Sequence, residues 1–213
     1  MSGRWMAQLS SFVHQSAANK ALHRTAIPLR SIAAAELFVR RKNMIKIREE
    51  QKQDIQAIRE VNIRAFGQTQ EADIVNKLRQ NCNGLLSLVA VMQNQVVGHI
   101  LFSPATVEHE DRTVQGMGLA PMAVLPEHQR QGIGSELIRA GIARLKRRRR
   151  PFVIVLGHAD YYPRFGFEPA STHGIRCEWE VPDDAFMILV LNKSEMWGIS
   201  GVAKYRPEFA EAM

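Results

Sequence analysis

Seven consecutive residues, Gln129, Arg130, Gln131, Gly132, Ile133, Gly134 and Ser135, stand just ahead of Leu137, Ile138, Ile142 and Leu145, which recur at helical spacing. A glycine-bearing loop that opens into a helix is an anion site. The first helical turn leaves backbone N–H groups without partners, and the helix dipole favours negative charge there. Glycine at 132 and 134 lets the backbone approach a phosphate with no Cβ in the way, and Gln131 would act mainly through its N–H. Two nucleotide readings fail on spacing. A dinucleotide fingerprint needs a third glycine where Leu137 stands, and the other Gly-x-Gly pair, Gly116 and Gly118, leads to Pro121. A P-loop needs its second glycine, followed by Lys and Ser or Thr, five residues after Gly132, where Leu137 again stands.

The flanking pattern supplies the elements that must position this loop. Ile45 and Ile47 alternate with Lys46 and Arg48 as a short strand, and Asp54, Ile55, Ile58, Val61 and Phe66 step at helical spacing. A second helix is predicted from Glu71 through Ile74, Val75 and Leu78, ending at Asn81-Cys82-Asn83-Gly84. Residues 85–92 and 95–102 flank Gln93-Asn94 and read as a β-hairpin. Residues 113–124 form an apolar, strand-like stretch interrupted by Gly116, Gly118 and Pro121, so a distorted or bulged strand is expected. The run 152–156 suits a buried parallel strand, 160–164 a short helix, and Phe165-Gly166-Phe167 a turn into another strand. Residues 186–191 read as the last strand.

The chain of 213 residues is 46% apolar and 23% charged without low-complexity tracts, which fits one globular domain. No apolar run approaches the roughly 18 residues of a membrane span. Cys82 and Cys177 stand far apart without metal-ligand spacing, so neither a disulfide framework nor a zinc site is expected, and a reducing compartment follows. The net charge of +7 is unevenly placed: seven of the 28 basic residues, but only one of the 21 acidic ones, fall in residues 1–43. Seven more basic residues lie in 139–150, including the run 146–150, so the rest of the chain is acidic and a broad nucleic-acid surface is not expected. Residues 1–43, basic and weakly periodic, read as an appendage: a transit peptide, a disordered arm, or read-through from a start upstream of Met44. The last is the preferred expectation, because the stretch resembles a translated integron recombination site; it makes 44–213 the domain, in a bacterium and in its cytoplasm.

Gln129-Arg130-Gln131-Gly132-Ile133-Gly134 resembles the Q/R-x-x-G-x-G/A signature of the GCN5-related N-acetyltransferase (GNAT) superfamily. Ala120-Pro121-Met122-Ala123-Val124-Leu125-Pro126 is similar to that family's bulged fourth strand, and Tyr162-Pro163-Arg164-Phe165-Gly166-Phe167 to its Y-x-x-x-G-F segment. Gly98-His99-Ile100-Leu101-Phe102-Ser103-Pro104, Gly166-Phe167-Glu168-Pro169-Ala170 and Val181-Pro182-Asp183-Asp184-Ala185-Phe186-Met187 resemble the YhbS-like branch. The resemblance implies an α/β fold with a mixed, mostly antiparallel sheet, a splayed strand pair and flanking helices. It implies acetyl-CoA as co-substrate with no metal. Backbone groups of Met122, Ala123 and Val124 would hold the pantetheine arm, and amides of Gln129, Arg130, Gln131, Gly132, Ile133, Gly134 and Ser135 the pyrophosphate.

Acetyl transfer to an amine then poses two proton problems. An ammonium of pKa about 10.4 must lose a proton, at a cost of about 4.6 kcal/mol at pH 7, and the leaving thiolate must gain one. Tyr162 aligns by resemblance with the tyrosine that faces the sulfur, which makes it the expected general acid, with Tyr161 as a second candidate. Glu71, near a helix start, and His99, in a strand behind the acetyl site, are the candidates for the base. His158 and Asp160 stand near where many members carry Asn, so a role for that Asn does not transfer. Trp179 and Trp197 are either pocket residues or packing anchors. The expected function is N-acetylation of a primary amine of a small molecule or peptide by direct attack in a ternary complex, with a homodimer left open. The alternatives are an acyl-CoA sensor of the same fold and an acetyltransferase acting on aminoacyl-tRNA through the basic run.

Overall fold

Alternating and 3.6-residue periodicities resolve into nine strands and four helices in the computed structural model, which describes residues 45–110 and 112–212. The extension 1–43 and the start at Met44 lie outside the described residues. The strands are β1 (Lys46–Glu49), β2 (Leu86–Met92), β3 (Gln95–His109), β4 (Arg112–Val124), β5 (Phe152–Leu156), β6 (Glu168–Pro169), β7 (Ile175–Cys177), β8 (Phe186–Val190) and β9 (Gly201–Lys204). The helices are α1 (Ile55–Phe66), α2 (Gln70–Asn81), α3 (Ile133–Arg147) and α4 (Lys193–Met196). The sheet runs β1-β2-β3-β4-β5-β8-β6, with β9 pairing to both β3 and β7. Only β4–β5 and β7–β9 are parallel, so the expected mixed, mostly antiparallel sheet is present.

Two helical layers cover the sheet, and glycines identify which face each occupies. A Cβ on Gly98 would meet Ile133 and Leu137, and one on Gly141 would overlap the Phe102 ring, so even-numbered positions of β3 face α3. Odd-numbered positions face the other way, where His99 meets Asn62 of α1 and α2 packs along α1. The hairpin between β2 and β3 closes through Gln93 (φ 52°) and Asn94 (φ 65°), a pair of left-handed residues whose twist matches that of the strands. Ahead of α1, Asp54 accepts from the Gln51 amide at 2.8 Å and from both Arg48 terminal nitrogens at 2.5 and 2.9 Å, which fixes the entry to the helix.

Three readings of the pattern need correction. Strand β3 continues to His109, through Pro104. The proline is tolerated because it falls between the last β2 pair at Phe102 and the first β9 pair at Thr106, where β3 has a strand on one side alone. The strand expected after Phe167 is two residues long. Residues 186–191 are not the final strand, since β9 follows and returns to the far end of β3.

Candidate functional site: a split between two strands and a phosphate loop

The decisive local feature is a bulge. Ile100 pairs with Met122 and Phe102 with Leu119, so two residues of β4, Ala120 and Pro121, oppose one of β3. On its other edge β4 runs parallel to β5 only as far as Leu119, opposite Val155. Beyond that point residues 120–124 have no strand on the β5 side among the described residues, and the sheet opens there. The backbone amide of Leu125 donates to Val97 O at 2.9 Å. By strand alternation Ala123 therefore also faces β3, whereas Met122 and Val124 turn their N–H and C=O groups into the opening. Of the three residues expected to meet the pantetheine arm, the geometry thus assigns Met122 and Val124 to that edge and Ala123 to the ladder.

The seven-residue loop closes the same end of the opening. Gln129 donates its side-chain amide to Val124 O at 3.0 Å and Gln131 donates to Glu127 O at 3.1 Å, so both glutamine side chains brace the turn. Arg64 at the end of α1 grips both carboxylate oxygens of Glu127, at 3.0 and 3.1 Å. Arg130 and Gly132 take left-handed backbone angles (φ 60° and 86°), and Gly132 caps α3. The first helical amide to find a carbonyl is Glu136, on Gly132 O, which leaves those of Ile133, Gly134 and Ser135 outside the helical ladder. The two glycines are required for different reasons. A Cβ at Gly132 would meet nothing within 4 Å, so its backbone angle is the constraint; at Gly134 it would stand 2.9 Å from the Tyr161 hydroxyl and 3.5 Å from the Met122 methyl. Tyr161 therefore stands over the loop, with the Arg164 guanidinium 4.4 Å from its ring centre.

Tyr162 lies beside Tyr161, beyond the end of β5. It follows β5 in a 3-10 turn, Tyr162–Phe165, and its ring fills the space over Gly157, edge-on to Tyr161 and Phe167 at 5.3 and 5.6 Å. Burial pushes its pKa well above the ordinary phenol value, so the group is O–H at neutral pH.

The two candidates for the base are both interior. Glu71 is buried at the start of α2; one oxygen accepts from Gln68 at 3.0 Å and the other, Oε2, has no partner among the described residues. His99 is fully buried and both its nitrogens are engaged. Asn62 Nδ2, which also donates to Ile58 O at 2.8 Å, lies 3.1 Å from His99 Nδ1, and Ser87 Oγ lies 3.0 Å from Nε2. Nδ1 must then accept and Nε2 donate, with Ser87 donating onward to Glu50, which Arg79 holds at 2.7 Å. Burial pushes the His99 pKa down to about 4, so the ring is neutral and presents no surface to the opening.

Of Trp179 and Trp197, one packs and the other does not. Trp179 stacks on Tyr205, with ring centres 5.5 Å apart, while Trp197 is 86% exposed, far from the opening at the tip of the β3–β4 hairpin beside His109 and Arg112. In the basic run, Arg148 pairs with Glu49 at 2.9 Å, as cations at a helix C-terminus commonly do. Both cysteines are free. Among the described residues no helix is long and apolar enough to cross a membrane, and no three His, Cys, Asp or Glu side chains converge as a metal site.

Known proteins share this arrangement. Residues 46–170 match the family described as acetyltransferase (GNAT) domain. The chain is 45% identical over 136 residues to the uncharacterized N-acetyltransferase YjhQ of Escherichia coli K12, across 62% of this chain and 75% of that protein. To the N-acetyltransferase YhbS of the same strain it is 35% identical over 147 residues, 68% of this chain and 87% of that one. The crystal structure of E. coli YhbS in complex with CoA superposes with a TM-score of 0.73 at 32% identity, covering 79% of this chain and 93% of that chain. A GNAT acetyltransferase of Brucella melitensis in complex with acetyl-CoA superposes with a TM-score of 0.63 at 33% identity, covering 78% and 99%. The opening between β4 and β5, the glycine loop beneath it and these likenesses lead to one conclusion: the chain is an acetyltransferase of the GNAT family, in its YhbS-like branch.

Proposed function

We propose that the chain transfers the acetyl group of acetyl-CoA to a primary amine of a small molecule or peptide, by direct attack in a ternary complex. The observation that carries this reading is the parting of β4 from β5 after Leu119, which leaves the backbone groups of Met122 and the Val124 amide on an edge with no strand beside it among the described residues, ending at the amides of Ile133, Gly134 and Ser135. A pantetheine arm carries amides that such an edge can pair, and its pyrophosphate suits a helix N-terminus. That YhbS and the Brucella protein bind CoA and acetyl-CoA supports the same assignment.

Tyr162, a buried phenol that keeps its proton at neutral pH, is the group that protonates the departing thiolate. Its place just beyond β5, where the strands diverge, supports that role. His99 serves by holding Asn62 in place, since a ring with both nitrogens engaged and a depressed pKa is a poor proton acceptor at neutral pH. Glu71, with one carboxylate oxygen unpartnered, is the better candidate to receive the amine proton. A cytoplasmic, bacterial setting fits two free cysteines and relatives from E. coli. The test is release of thiol from acetyl-CoA by the purified full chain across a panel of primary amines. Turnover with at least one amine is expected; saturable coenzyme binding without turnover on any of them would instead favour an acyl-CoA sensor.

A further inference from the structure

The sheet face opposite α3 carries buried polar atoms that the coenzyme half does not use. Two of them flank Gly118, one residue before the last β4–β5 pair. Ser103 pairs with Gly118 across β3–β4, is fully buried, and its Oγ has no hydrogen-bond partner among the described residues. Tyr205, which directly follows β9, lays its ring on Gly118, where a Cβ would come within 2.6 Å of Cε1. Because Gly118 pairs with odd-numbered Ser103, this contact is on the α1 face, across the sheet from the phosphate loop.

The ring of Tyr205 is held on all sides and its hydroxyl is not. Trp179 stacks on it, Phe209 meets it edge-on at 5.5 Å, and Glu178 accepts its main-chain amide at 2.6 Å. The residue is 8% exposed, and its hydroxyl, close to the Leu156 main-chain amide and near Tyr162, makes no hydrogen bond of good geometry to any described residue. Leu156 ends β5, so this hydroxyl stands where the strands part, on the sheet face opposite α3. A buried phenol without a partner loses its hydrogen bonds to water, and so does a buried serine. Ser103 lies on the β3 side of Gly118, two strands from Leu156, so the Tyr205 hydroxyl alone stands at the parting of β4 and β5, where it can both donate to and accept from a ligand.

Resting on the coenzyme reading above, we propose that Tyr205 forms the acceptor side of the site: its hydroxyl hydrogen-bonds the incoming amine and aims the amine lone pair at the thioester. This residue lies outside the matched family region, residues 46–170, so the C-terminal segment supplies a substrate-binding group as well as packing. The phenol remains neutral, because burial raises its pKa well above the ordinary value, and can both donate and accept.

The test compares two ligands on the full chain by calorimetry. One is coenzyme A; the other is its thioether conjugate carrying S–CH2–C(=O)–NH–propyl, which delivers a nitrogen to the acceptor position without turnover. The wild type is expected to bind the conjugate about ten-fold more tightly than coenzyme A, and Tyr205→Phe to keep its affinity for coenzyme A within about two-fold while losing most of that advantage. The Phe variant keeps the ring contacts and should melt at or above the wild type, because it removes an unpartnered buried hydroxyl. A conjugate advantage unchanged in Tyr205→Phe, or absent from the wild type, overturns the proposal and leaves the coenzyme reading intact. A Phe variant that melts well below the wild type also overturns it, by showing that the hydroxyl supports the fold. Failure of the wild type to bind either ligand overturns both.

Discussion

The two halves of the proposed site are built in opposite ways. The coenzyme half is contiguous: β4, a seven-residue loop and the first turn of α3 supply backbone groups, and the side chains of Gln129, Gln131 and Glu127 brace that backbone. The proposed acceptor half draws on α1, α2 and the chain after β9, and what it offers is side-chain atoms, namely Asn62 Oδ1, Glu71 Oε2 and the Tyr205 hydroxyl, each buried with no hydrogen bond of good geometry among the described residues. The first half recognises groups that every acyl-CoA shares. The second is where a particular amine must be chosen, and its unpartnered atoms mark the places a ligand or ordered water would satisfy.

This contrast can be broken most sharply at Gly134. Replacement by Asp puts a Cβ 2.9 Å from the Tyr161 hydroxyl and a negative charge among amides meant for phosphate, so acetyl-CoA affinity should fall by at least about 100-fold in calorimetry while the fold survives. Retained affinity would separate the loop from the coenzyme. Next in size, Tyr162→Phe should lower kcat by about 100-fold, within the range for lost general acid catalysis, and leave acetyl-CoA binding nearly unchanged. Equal losses in both would make Tyr162 a packing residue.

His99 offers a smaller effect with a definite sign. Its folded pKa, about 4, lies below the unfolded value of 6.5, so between those values the unfolded chain binds a proton that the native ring does not. The native state should therefore lose up to about 3 kcal/mol as pH falls from 6.5 to 4, and be unaffected by this group above 6.5. His99→Gln should flatten that part of the stability curve measured by chemical denaturation. An activity profile in which His99→Gln removes a titration near pH 6.5 would restore the histidine as the base. The smallest effect is expected at Arg64, whose pair with Glu127 is partly exposed: Arg64→Ala should change acetyl-CoA affinity by no more than about two-fold.

The same contrast explains what was legible before folding. Strand, glycine loop and helix are adjacent in the chain, so periodicity and glycine spacing locate them, and Pro121 announces the bulge that opens the sheet. Alternation also found the hairpin at Gln93-Asn94. The resemblance added Tyr162. Tyr205 left no such trace, because a lone tyrosine after a four-residue strand has no periodicity, and only the return of β9 to β3 brings it to Gly118. His99 was visible as a titratable group in a strand. Its burial was not, since the network from Asn62 to Arg79 joins residues 37, 12 and 29 positions apart.

The central claim is that the opening between β4 and β5 is an acetyl-CoA site, and calorimetric titration of the full chain with acetyl-CoA at two salt concentrations tests it most directly. The account predicts saturable binding at one site, persisting at the higher salt and lost in Gly134→Asp. A folded wild-type sample that binds no acetyl-CoA, or that binds it only at low salt and equally well with aspartate at 134, would contradict it.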